Sequence, residues 1–144
     1  MQVDNILKSK RPAVLWVPPV LSVGEVAERL RSADVGVMIV SNDGELLQGL
    51  VSERDIAHGL AMHGAALLSL KVSDVMTRSV ITCAPEDSVT DIARIMTMRR
   101  IRHIPVVDGG KIVGVVSIGD VLKSRISEIE LEASVLRDLA VARR

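Results

Sequence analysis

The chain contains no tyrosine and no phenylalanine, and Trp16 is its one aromatic residue. Recognition of single-stranded nucleic acid uses aromatic platforms beside a basic surface. Neither is present here, because 18 basic side chains are matched by 18 acidic ones and the formal net charge is zero. A nucleic-acid partner is therefore not expected. Cys83 is the only cysteine, which excludes an intramolecular disulfide and a cysteine-based zinc site and leaves it as a small packing residue. No stretch approaches the roughly 20 apolar residues of a membrane span, so no membrane partner is expected. The opening Met-Gln-Val-Asp-Asn-Ile-Leu-Lys lacks the apolar centre of a signal peptide, and the expected location is the cytoplasm. There is no Walker loop, no Gly-x-Gly-x-x-Gly, no Ser-His-Asp constellation and no pair of carboxylates placed as acid and base. The chain thus reads as a non-enzyme. His58 and His63 stand five apart, share no helix face and have no Cys or carboxylate cluster beside them, so no metal site is expected.

What the sequence does have is a strong apolar pattern. Apolar residues make up 48% of the 144 residues and charged ones 25%, the balance of a globular protein with a full core. Residues 4–10 read as a short helix with Asp4 as its cap, stopped by Pro12. Ala13–Val17 is a strand candidate closed by Pro18 and Pro19, which places Trp16 in the core. Ser22 and Glu25 form a capping-box pattern. Val35–Val40 and Leu46–Val51 are strand candidates around the turn signal at Asn42, Asp43 and Gly44. Ser52 then caps a helix that runs to about Met62 and ends at Gly64.

The same grammar returns further on. Val80–Thr82 reads as a strand, and Ser88 caps a helix carrying Ile92, Ala93, Ile95 and Met96, with Met98 as core or interface packing. Ile104–Val107 and Ile112–Val116 flank Asp108, Gly109 and Gly110, a hairpin turn that needs positive φ. Ser117 opens the last helix. Ser88 stands 66 residues after Ser22, and Ser117 and Asp120 stand 65 after Ser52 and Asp55. Such self-similarity is read before the fold. It predicts an α+β protein of two β-α-β-β-α repeats packed sheet to sheet about a pseudo-two-fold axis, because each sheet has one face that its own helices do not cover. The expected division is residues 1–73 for the first repeat with the N-terminal helix and strand, 74–126 for the second, and 127–144 for an extension of the last helix. That helix continues through Val121, Leu122, Arg125, Ile126, Ile129, Val135, Leu136 and Leu139, and a stripe of this length packs on a partner or reaches across a dimer. Its charges, Glu128, Glu130, Glu132, Arg137, Arg143 and Arg144, read as a solvated face.

The residues resemble a known family. Asp34-Val-Gly-Val-Met-Ile-Val with Gly49-Leu-Val-Ser-Glu-Arg-Asp55, and Arg102-His-Ile-Pro-Val-Val with Gly114-Val-Val-Ser-Ile-Gly-Asp120, are similar to the motifs of CBS domains, and Val75-Met-Thr77 is similar to the segment that precedes such a repeat. The likeness covers roughly residues 8–126, and the continuation from Lys123 resembles small stand-alone bacterial members. It implies a disc-like pair of repeats with two clefts, and a homodimer. It also implies a regulatory role through binding of AMP, ADP, ATP, S-adenosylmethionine or NAD(H), with a downstream protein that the sequence does not identify. In the family motif Ser/Thr-x-x-Asp the carboxylate takes the ribose hydroxyls and the hydroxyl lies near phosphate, which carries over to Ser52 with Asp55 and to Ser117 with Asp120.

The physical reading runs beside this. A carboxylate accepts from two vicinal hydroxyls, and a helix start suits a phosphate. Arg54, next to Asp55, suits a phosphate in the first site. Gly119 holds the matching place in the second, so Arg102 and His103 are the candidate cations there, with Lys10 lining the same site. Pro105 carries the apolar-Pro-apolar pattern that the first copy replaces with Ile39. The alternative stays open that Ser52 and Ser117 only cap helices, Asp55 and Asp120 only favour the helix dipole, and the module is a ligand-free scaffold for dimerisation.

Overall fold

The computed structural model describes residues 1–10 and 14–143, so Pro12, Ala13 and Arg144 lie outside the described residues. In chain order the elements are α1 (Val3–Ser9), β1 (Trp16–Val17), α2 (Val23–Ala33), β2 (Val37–Val40), β3 (Gly49–Ser52), α3 (Glu53–His63), two 3₁₀ turns (Gly64–Ser69 and Val72–Asp74), α4 (Val89–Arg99), β4 (His103–Asp108), β5 (Lys111–Ser117) and α5 (Ile118–Ala142).

The repeat is built from its caps. Ser22 Oγ accepts from the Glu25 N–H at 3.2 Å and Ser88 Oγ from the Asp91 N–H at 3.4 Å, each satisfying one orphan donor of a helix start. The return bond from Glu25 that a full box requires is not made. Full boxes form at Ser52 with Asp55 and at Ser117 with Asp120. The matching helices α2 and α4 end alike, on Asp34 and Arg100, both left-handed with φ of 53°. The first helix differs from its expectation. It opens at Gln2, whose N–H donates to Asn5 Oδ1 at 2.9 Å, while Asp4 ion-pairs with Lys8 at 2.9 Å.

Three strands form the first sheet in the order β1-β2-β3, with β1 parallel and β3 antiparallel to β2. The strand expected from Leu46 starts only at Gly49. The buried Ser41 and the exposed Asp43 hold the preceding turn: Ser41 Oγ donates to the Leu46 carbonyl, and Asp43 Oδ1 accepts from the N–H groups of Glu45 and Leu46. Trp16 is not a core residue. It is 39% exposed, and its indole lies over Gly44, which has φ of 76° and no Cβ to obstruct the ring.

The second sheet has two strands, β4 and β5, joined across Gly109 and Gly110 with φ of 58° and 80°. The strand expected at Val80–Thr82 does not form. A single parallel bridge, Cys83 to Val106, stands where Val17 pairs with Val40 in the first half. Pro105 explains the loss. In the first half the Ile39 N–H donates to the Leu15 carbonyl at 3.1 Å and the Ser41 N–H to Val17 at 3.0 Å. In the second the Val107 N–H donates to Cys83 at 2.8 Å, but Pro105, which matches Ile39, has no N–H to give to the residue that precedes. The ladder ends there. Burial pushes the Cys83 thiol up to about 12, and the Asp87 carboxylate adds to the shift, so the thiol stays protonated and serves packing.

One core lies in each half. Val17, Val26, Leu30, Met38, Val40, Val51 and Val72 make the first. The second holds Ile92, Met96, Ile104 and Val116, together with Val3 and Ile6 of α1. The N-terminal helix therefore belongs to the second half and not, as the sequence division had it, to the first. The reason is apolar: Val3 and Ile6 are 0% and 5% exposed there, and the Val3 and Asp4 N–H groups are satisfied by the Asp87 and Pro85 carbonyls at 2.9 and 2.8 Å. The segment before the second repeat makes the reciprocal crossing, pairing Thr77 with Leu50 of β3. Met96 is core, but Met98 is 81% exposed. In α5, Val121 and Ser124 are buried and every residue from Ile129 to Arg143 is exposed. Among the described residues no helix is long and apolar enough to cross a membrane.

Both crossings rest on a glycine. A Cβ on Gly49 would stand 2.9 Å from the Thr77 carbonyl and 2.6 Å from Met76 Sδ, whereas one on Gly114 would meet only the flexible end of Leu7, at 2.6 Å. Gly49→Ala is therefore expected to cost about 1–3 kcal/mol and Gly114→Ala less, as read by the difference in urea midpoints. Equal midpoints for the two variants would refute this account of the crossings.

Candidate functional site

The two crossings leave two cavities of about 320 Å³ each between the halves. The first is built around the start of α3. Ser52 ends β3 and caps the helix, with its Oγ accepting from the Asp55 N–H at 3.2 Å. Asp55 Oδ2 in turn accepts from the Ser52 N–H at 2.9 Å, and Oδ1 accepts from the Thr77 hydroxyl at 3.1 Å. The cap thus uses one carboxylate oxygen, and an exchangeable hydroxyl holds the other. Leu50, Val80, Ile81 and Ile101 supply apolar wall. Arg54, Arg100 and Arg102 line the same cleft. The Arg54 guanidinium donates to the Arg100 carbonyl at 3.3 Å, and among the described residues none of the three is ion-paired. All three are exposed, and the Glu53 carboxylate lines the cleft beside them.

The second cleft is built around the start of α5 and has a different character. Asp120 Oδ2 accepts from the Ser117 N–H at 2.9 Å and from Lys10 Nζ at 2.7 Å, and Lys10 also donates to the Val115 carbonyl at 2.6 Å. Burial raises the Asp120 pKa, but the Lys10 bond and charge and the Ser117 N–H and hydroxyl outweigh it, and the net shift is downward. The walls are apolar, with Leu7, Leu15, Val37, Ile39, Val113 and Val115. Lys10 is the cation beside Asp120, and Arg102 is not: Arg102 lies on the first cleft. His103, the next residue, lines both cavities, as does Gly36. Pro105 is buried in β4 and lines neither. Sequence reading missed Thr77 and Arg100. Val75-Met-Thr77 was visible as a motif, but its hydroxyl reaches Asp55 only through the crossing, and Arg100 enters only through its left-handed backbone.

Two such repeats, each with a serine-capped carboxylate at a strand-to-helix junction, define a paired-cleft module: Asp55 lines the first cavity, whereas Ser117 and Lys10 line the second and Asp120 is bound to Lys10. The family model of the CBS domain matches residues 5–61 and 72–127, and the chain belongs to the CBS-domain family. It is 34% identical over 134 residues to the mitochondrial CBS domain-containing protein CBSX3 of Arabidopsis thaliana, with 88% of this chain covered and 65% of that protein's length. The crystal structure of the CBS-domain protein ATU1752 from Agrobacterium tumefaciens superposes with a TM-score of 0.84 at 36% identity, covering 87% of this chain and 99% of that one. The CBS domain protein PAE2072 of Pyrobaculum aerophilum, complexed with AMP, superposes at 0.77 with 29% identity, covering 92% and 99%.

His103 gives the site a pH signature. Burial pushes its imidazole below the usual range, the Arg102 and Lys10 charges push the same way, and the Asp120 and Glu53 carboxylates oppose them. The unfolded chain then binds more protons at this residue than the folded one, so stability falls as pH drops below about 6.5 and levels off beneath the lowered value. Urea midpoints measured from about pH 7.5 down to about pH 5 are expected to decline less steeply in His103→Gln than in wild type. Parallel slopes would assign the decline to other groups.

Proposed function

We propose that this chain is an adenine-nucleotide-binding regulatory module that responds to AMP, ADP, ATP or NAD(H) and passes the response on through dimer or partner contacts. The observation that carries the reading is the first cleft, where a capped carboxylate, an apolar slot and three unpaired arginines meet. Asp55 Oδ1 exchanges the Thr77 hydroxyl for a ribose hydroxyl at little cost, because one hydroxyl-to-carboxylate hydrogen bond replaces another. Leu50, Val80, Ile81 and Ile101 give the base a slot of ordinary ligand-pocket size. Arg54, Arg100 and Arg102 face the phosphate end, and the helix start of α3 adds its dipole.

The second cleft takes a ligand of lower charge in this reading. Lys10 is its one lysine or arginine and is already neutralised by Asp120. A ribose at Asp120 competes with that ion pair, or Lys10 turns to a phosphate and releases the carboxylate. The AMP complex of PAE2072 supports the ligand class, and no group in either cleft is arranged for bond-making chemistry, which supports a binding role. Among the described residues there is no cluster of three His, Cys, Asp or Glu that would hold a metal.

Calorimetry with AMP, ATP and NADH on wild type, Asp55→Asn and Asp120→Asn tests this. Asp55→Asn keeps one oxygen for the cap and is expected to weaken ATP binding about tenfold or more, the loss of one charge-assisted hydrogen bond. Arg102→Ala is expected to weaken ATP more than AMP and to reduce the salt dependence of ATP binding. If no adenylate binds and none raises the melting temperature, the module is the ligand-free dimerisation scaffold instead.

A further inference from the structure

The last helix runs on for more than three turns after its final contact with the body. Val121 and Ser124 face the core and Glu128 is half-buried, but from Ile129 to Arg143 every side chain is exposed, with Ile129 at 64% and Leu136 at 66%. A single helix of this length gains too little from its own hydrogen bonds to persist in water. Leu131, Val135, Leu139 and Val141 are exposed on several of its sides, and one continuous apolar line runs along another. Leu122, Ile126, Ile129, Ala133, Leu136 and Ala140 follow one another at alternating spacings of four and three. That is a heptad seam, with Leu122, Ile129 and Leu136 at d and Ile126, Ala133 and Ala140 at a.

The residues flanking this seam decide what covers it. Arg125 and Glu132 stand at g, and Glu130 and Arg137 at e. In two parallel strands a g residue meets the e residue five positions on in the partner. Arg125 then meets Glu130 and Glu132 meets Arg137, each pair twice by symmetry, and all four contacts are attractive. In antiparallel strands e meets e and g meets g. The antiparallel register that overlaps the whole seam faces Glu130 with Glu130, Glu132 with Glu132 and Lys123 with Arg137; the register shifted by one heptad pairs Lys123 with Glu130 and Arg125 with Glu132 but covers only four of the six layers that the parallel arrangement buries. The local contacts of Arg125, to Thr90 Oγ1 at 3.2 Å and Glu128 Oε2 at 3.5 Å, lie on the surface and are weak enough to be shared. Alanine at two of the a layers brings two helices close together and leaves little volume for a larger bundle to fill.

We propose that residues 122–140 of α5 form a parallel two-stranded coiled coil with the same segment of a second copy of this chain. The seam begins on the exposed side of the part of α5 that packs on the second repeat, so the two bodies sit side by side at one end of the coil. This deepens the dimer part of the reading above and is read without nucleotide, so its failure leaves the cleft assignment standing, and the reverse also holds.

Analytical ultracentrifugation of the full chain is expected to show a monomer–dimer equilibrium. Leu136→Asp, which lies beyond every contact with the body, is expected to weaken it about tenfold or more while unfolding stays cooperative. Glu132→Arg sets two guanidinium groups against each other at the contact with the partner's Arg137 and is expected to weaken the dimer. Glu132→Arg combined with Arg137→Glu is expected to restore it. Leu136→Cys is expected to give a disulfide-linked dimer on mild oxidation, since d faces d in the parallel register and the buried Cys83 does not compete. A wild-type monomer, a dimer indifferent to Leu136→Asp, no rescue by the charge swap, no cross-link at Leu136→Cys, or a trimer or tetramer would each overturn the proposal.

Discussion

Leu7 reaches over Gly114 of β5, and Met76 and Thr77 reach over Gly49 of β3. The remainder of the molecule depends on these two approaches. A two- or three-stranded sheet with helices on one side cannot stand alone, because its other face stays wet. Each hairpin here is finished by the segment that leads into the opposite repeat, and glycine at the contact lets the crossing chain come close enough to pair or pack. Neither half has a complete core without the other: Val3 and Ile6, at the start of the chain, are as deeply buried in the second half as Ile104 and Val116. The two repeats are for this reason one cooperative unit.

The same crossings make the clefts unequal. The repeats themselves are closely matched at the strand-to-helix junction, where Ser52 with Asp55 and Ser117 with Asp120 form the same box at nearly the same distances. What differs is what each crossing segment delivers. One brings a hydroxyl, Thr77, to Asp55; the other brings an ammonium, Lys10, to Asp120. A hydroxyl is exchanged for another hydroxyl without change of charge, whereas displacing an ammonium leaves a partly buried carboxylate to be compensated. Two clefts built beside the same box therefore differ in the charge that stands next to the carboxylate.

Much of this was legible in the sequence, and the parts that were not share a cause. The caps at Ser22, Ser52, Ser88 and Ser117, the glycine hairpin turn and the 65- and 66-residue steps are local or periodic signals, and each is realised as a local structure. Asp55 and Asp120 came to light for the same reason, since spacing from a serine places a carboxylate in the first turn. The strand at Val80–Thr82 failed on a long-range term: whether an apolar run joins a ladder depends on its neighbour's N–H, and Pro105 lies over twenty residues away. Arg102 lines the first cavity and not, as expected, the second, because the cavity that a residue borders is set by the tertiary packing of the segment leading into β4, which no local spacing encodes. The half to which α1 belongs has no sequence signal at all, because apolar Val3 and Ile6 suit either core.

The junction at Ser117 ties the second cleft to the exposed helix. Asp120 closes the cap that sets the entry angle of α5, and the same oxygen holds Lys10 from the opposite crossing. A helix of 25 residues is about 37 Å long, so a tilt of about 5° at its root moves its far end by about 3 Å. Little of that motion is absorbed along the way, since beyond Gly119 in its first turn α5 has no Gly or Pro and so no ready point of bending. A change at the Lys10–Asp120 pair is thus magnified with distance from the body, and the segment that moves furthest is the one whose apolar stripe has no cover in its own chain. His103, shared between the clefts and placed between Asp120 and Arg102, gives the first cleft access to the same junction, since its protonation or displacement alters the field at Asp120 from the other side. Differential affinity for two such states is all that a ligand needs to shift their populations.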